Sequence, residues 1–139
     1  MEKISLKSGL VNIEYYGEPD ELAVHNELGK FVDDEVYFYP EFWKDVPKKF
    51  AKDLMDELNS LVERAVEPSG EIKNHEIILE IEKVLDHKGS SGELFGAETY
   101  NGWEFEDGTY YGDLSHEEAV ISTAMYCISK CAVFLDYEK

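Results

Sequence analysis

The chain has 139 residues, and 31 Asp and Glu against 13 Lys and Arg give it a formal charge of −18. Its length fits one domain, and 43% hydrophobic content is enough to build a core. So strong a negative field works against direct binding to nucleic acid or to an anionic membrane, and it favours basic proteins or metal cations as partners.

High acidity can also accompany disorder, but two Trp, nine Tyr and seven Phe, together with clear hydrophobic periodicity, argue for an ordered domain. The N-terminus lacks a basic stretch followed by an apolar run, so no signal peptide is expected. No stretch reads as 18 apolar residues, and no membrane span is expected either. Twelve of the thirteen bases are Lys, with Arg64 alone as Arg, a weak hint of an A/T-rich coding genome in a bacterium, its phage or a mobile element.

Residues 4 to 16 read as strand. Ile4 and Leu6 alternate with polar residues, Ser8-Gly9 offers a turn, and Val11, Ile13 and Tyr15 alternate again, giving a hairpin or one bent strand. Gly17-Glu18-Pro19-Asp20 breaks the chain. Residues 21 to 34 fit two patterns. Val24, Leu28 and Phe31 could line a helix, but Gly29 costs a helix about 1 kcal/mol, so strands around an Asn26–Gly29 turn are preferred. Glu35 to Tyr39 has high β-propensity, and Pro40 ends it.

A helix is predicted from about Asp45 to Val66, with Asp45 as N-cap and Pro47 in the first turn. Phe50, Leu54, Leu58, Leu61, Val62 and Ala65 form its apolar stripe. Pro68-Ser69-Gly70 stops it. A further helix, Asn74 to His87, carries the stripe Ile77, Ile78, Ile81, Val84 and Leu85, with Gly89 as its C-terminal glycine. The two should form a helical hairpin.

Asn101-Gly102 and Asp107-Gly108 are two-residue hairpin turns that bracket the alternating Trp103-Glu104-Phe105-Glu106. A three-stranded meander over 96 to 112 would put Tyr100, Trp103, Phe105 and Tyr110 on one face. Thr99, Glu104, Glu106, Thr109 and Tyr111 would take the other. Ser115 and Glu118 then form a capping box before a helix that runs to Leu135 without Gly or Pro. Its apolar residues cover more than one stripe, and in its second half only Lys130 carries charge, so it should lie buried among neighbours on several sides. Cys127 and Cys131 sit four apart on it, a poor geometry for a disulfide, and read as free, buried thiols of a reducing cytosol. The expected fold is α+β, a single domain over 1–139. An antiparallel sheet of N-terminal strands plus the 96–112 meander is packed by a helical hairpin and a buried C-terminal helix.

The acidity is uneven. From Ser8 to Trp43 there are nine acids and one base, and from Gly89 to Ser129 eight acids and no base, so these stretches hold −16 of the −18. Acids among aromatics on a strand face suit an interface with a basic protein, where complementary charge speeds encounter and aromatic rings anchor it. The candidate partner-binding residues are Asp33, Asp34 and Glu35 beside Tyr37 and Tyr39, and Glu98, Glu104, Glu106, Asp107, Thr109, Tyr111 and Asp113.

The expected function is therefore a small acidic inhibitor, a nucleic-acid mimic that neutralises a basic nuclease or nucleic-acid-binding enzyme. Immunity proteins and phage anti-defence proteins are of this type, acting in the bacterial or phage-infected cytosol without cofactor or metal. Homo-oligomerisation is compatible with the same surfaces. An alternative is a nucleotide or other small ligand held between Trp43, Trp103 and the basic cluster Lys44, Lys48 and Lys52 at a helix start. In that cluster Lys49 and Lys52 also have Asp53 and Asp56 at i,i+4 as partners within the helix.

Signs of catalysis are sparse. There is no glycine-rich phosphate loop, nucleophile elbow or zinc-protease motif. His25, His75, His87 and His116 are dispersed, and Asp107, Asp113, Glu117 and Glu118 lack the spacing of a calcium loop. The chain is not expected to be an enzyme.

Overall fold

The fold was described from a computed structural model, for residues 3–16, 21–26, 34–85 and 115–137. The alternation of Ile4 and Leu6, then Val11, Ile13 and Tyr15, produces a hairpin of β1 (Ile4–Ser8) and β2 (Val11–Tyr15) in antiparallel register, with Leu6 opposite Ile13. The turn requires Gly9, whose φ of +56° lies in the left-handed region. The turn also lies against the helix that packs below it. A Cβ on Gly9 would come within 2.0 Å of the Asn59 Oδ1 atom.

β3 (Glu21–Asn26) pairs with β2, and β4 (Asp34–Tyr37) pairs with β3, so that among the described residues the sheet has four antiparallel strands in the order β1-β2-β3-β4. The strand reading of residues 22 to 25 therefore holds over the helical one. Period-2 alternation buries Val11, Ile13, Tyr15, Leu22 and Val24 on one face. Glu14, Asn12, Glu21 and His25 belong to the other.

The fourth strand ends at Tyr37, two residues short of the expected Tyr39, and Pro40 opens a short helix, α1 (Pro40–Trp43), that the sequence pattern does not announce. Proline fits the first turn of a helix because its missing N–H would have had no intrahelical acceptor. The chain then turns, with the Val46 N–H donating to the Trp43 carbonyl at 3.0 Å. This turn takes up Asp45, so α2 (Lys48–Ala65) begins three residues later than expected, and Pro47 occupies its N-cap position without a side-chain cap. Ala51, Leu54, Leu58, Leu61, Val62 and Ala65 are its buried stripe, while Phe50 stays partly exposed.

A tight turn follows α2. The Gly70 N–H donates to the Glu67 carbonyl at 2.8 Å, and an isolated bridge joins Val66 to Ile72. α3 (His75–Val84) buries Ile77, Ile78 and Ile81 against α2, and the last residues of the expected helix, up to His87, lie outside the described residues.

α4 (His116–Tyr137) is the centre of the domain. The predicted capping box is present. The Glu118 N–H donates to Ser115 Oγ at 3.2 Å, and the Ser115 N–H donates to Glu118 Oε1 at 3.1 Å. β1 and β2 pack on one side of the helix, and α2 and α3 on another. Every residue from Ala119 to Phe134 except Tyr126 is buried. Each fully buried Ile or Met here contributes about 1.5–3 kcal/mol of transfer free energy.

α4 is long and apolar enough by composition to cross a membrane, as a buried core helix also is, and most of its apolar stretch is covered by the domain itself. The result is an α+β fold in which the C-terminal helix packs against both sheet and helices. The predicted meander at 96 to 112 lies outside the described residues.

Candidate functional site

The candidate surface begins with the sheet face that α4 does not cover. Register builds rows across it. Ser5 stands opposite Glu14, Glu14 opposite Ala23, and Ala23 opposite Glu35. A second row pairs Glu21 with Tyr37. Asp34 occupies the register position opposite the buried Val24. Two of the predicted partner-binding acids, Asp34 and Glu35, are thus fixed in β4: Glu35 shares a row with Glu14, Glu21 stands in the row of Tyr37, and Asp34 falls in the register of the buried Val24. Sequence reasoning does not single out Glu14 and Glu21, although the alternation of β2 and β3 assigns both to the polar face. Glu14 is engaged by Lys3, with Nζ 3.0 Å from its Oε2.

The remaining predicted residues of this surface, Asp33, Glu98, Glu104, Glu106, Asp107, Thr109, Tyr111 and Asp113, lie outside the described residues. So does Trp103 of the alternative ligand site.

The other members of that alternative site are spread between core and surface. Trp43 is 2% exposed and packs between Phe38 and Phe134, with ring centroids 5.5 and 5.0 Å away. Its ring belongs to the core beneath α4. Lys44 and Lys48 are exposed. Lys52 is also exposed, and its Nζ sits 2.7 and 2.9 Å from the two carboxylate oxygens of Asp56.

The adjacent Lys49 makes the equivalent bond to Asp53 at 2.6 Å. That hydrogen bond, and then the aspartate charge, hold the Lys49 ammonium above the usual lysine range. The i,i+4 spacing read from the sequence is therefore used twice on the exposed side of α2. These pairs offset the cost of cations near a helix N-terminus.

Two contacts that sequence spacing could not reveal join α3 to α4. His75 Nδ1 lies 2.6 Å from Glu117 Oε2, and His116 Nε2 lies 3.3 Å from Glu82 Oε1. The partners are 42 and 34 residues apart, and the reciprocal pattern appears only once the helices pack. Both histidines remain on the surface at helix starts, as expected. Among the described residues, no group of three or more His, Cys, Asp or Glu is arranged to hold a metal ion.

No family model, curated protein or solved structure gives a significant match to the chain.

Below the surface, the reactive groups are held in packing roles. Cys127 and Cys131 are free and buried, as the sequence indicates. A hydrogen bond to Cys127, followed by burial, raises the Cys131 thiol well above its ordinary range, which keeps it protonated and a poor nucleophile. Tyr15 donates a short hydrogen bond to the Asp136 carboxylate, which ties the end of β2 to the last turn of α4. Burial first, and then that bond, push the phenol well above the usual tyrosine range.

Proposed function

We propose that this chain is a small acidic binding protein that neutralises a basic, nucleic-acid-binding protein by charge mimicry. Its carboxylates would take the place of phosphates, and its aromatic side chains would anchor the contact. The class includes immunity proteins against nuclease toxins and phage inhibitors of host defence enzymes. The place of action would be the bacterial or phage-infected cytosol.

The reading rests on one observation, the separation of charge along the chain. The stretches from Ser8 to Trp43 and from Gly89 to Ser129 hold seventeen acids and a single base, Lys30. Lys49 and Lys52 of α2 do not draw on that excess, because they are matched by acids of their own helix. Glu14, Glu21 and the positions of Asp34 and Glu35 add to the reading, since they bring acids from three strands into one sheet. The ligand-binding alternative finds less support, because it needs the ring of Trp43 and the charge of Lys52. One lies in the core and the other is bonded to Asp56.

A pull-down from native host lysate at low salt, eluted with a salt gradient and identified by mass spectrometry, tests the proposal. It predicts a basic nuclease or nucleic-acid-binding protein that leaves the column as salt rises. A small molecule released only on denaturation, with no salt-eluted basic protein, would count against it and favour the ligand reading.

A further inference from the structure

We draw no further inference here: the strongest candidate, the surface patch of exposed tyrosines Tyr16, Tyr39 and Tyr137 around the C-terminal end of α4, carries nothing because the structure does not show what covers it.

Discussion

The two long helices, α2 with 18 residues and α4 with 22, meet opposite demands. α2 buries one stripe and gives its other side to water, where Lys49, Lys52, Asp53 and Asp56 pair with one another. α4 has almost no exposed side, so its polar groups must be met locally. Thr123 donates to the Ala119 carbonyl at 2.9 Å and Ser129 to the Met125 carbonyl at 2.7 Å. The Ser122 hydroxyl has no hydrogen-bond partner among the described residues. Even Lys130 is only 2% exposed. The contrast separates two jobs. Stability comes from α4 and the layers around it, whereas charge on exposed faces is free to be tuned for a partner at little cost to the fold.

The sharpest way to break this contrast is to put the same charge on both helices. Ala124→Asp buries a carboxylate at the centre of α4 and should cost about 3–5 kcal/mol, enough to unfold a marginal domain. Ser60→Asp on the exposed side of α2 should stay within about 0.5 kcal/mol of the parent in urea unfolding. Similar losses in the two variants would mean that α4 is not the buried centre.

Next in size is Gly9→Ala, which must accept a left-handed φ and a clash with Asn59. It should lose about 2 kcal/mol or more. Adding Asn59→Gly should return only the part due to the clash, and a full recovery would show that backbone strain is absent.

Tyr15→Phe removes the donor to Asp136 and should cost about 1–3 kcal/mol near neutral pH, measured by chemical denaturation. The phenol is raised in the folded state, so the folded protein holds this proton more tightly than the unfolded chain. Its contribution to stability is complete below about pH 10 and is lost as pH rises further. The parent should therefore lose more stability than Tyr15→Phe on going above that pH, and parallel curves would contradict the contact.

The smallest effect belongs to the capping box. Ser115→Ala should cost about 1 kcal/mol, and Ser115→Asp should restore most of it.

Much of this fold can be read from the sequence, because the strongest determinants of its elements are local. Period-2 alternation marks β1 and β2, and apolar stripes mark α2 and α3. Ser115 and Glu118 fix the start of α4 to within one residue. The errors come from places where local preference and chain direction compete. Pro40 and Pro47 are both chain breakers and both helix openers. The sequence pattern therefore hides α1 and gives Asp45 a capping role that the turn after Trp43 removes.

Long-range contacts leave no trace in the spacing. Tyr15 and Asp136 are 121 residues apart, and the two histidine–glutamate pairs across α3 and α4 depend wholly on packing. Of the candidate surface, Asp34 and Glu35 lie within the described sheet, and Glu14 and Glu21 join them only once register is known. A lysine inside an apolar helix looks like an isolated charge in the sequence. In the fold, Lys130 is instead part of the buried centre.

The central functional claim is that excess negative charge draws in a basic partner. The most direct measurement is the association rate constant for the captured basic protein, followed from low salt to about 0.5 M salt, where the screening length falls to a few ångströms. Charge mimicry predicts a fall of about tenfold or more across that range. An association rate that does not change with salt would contradict it.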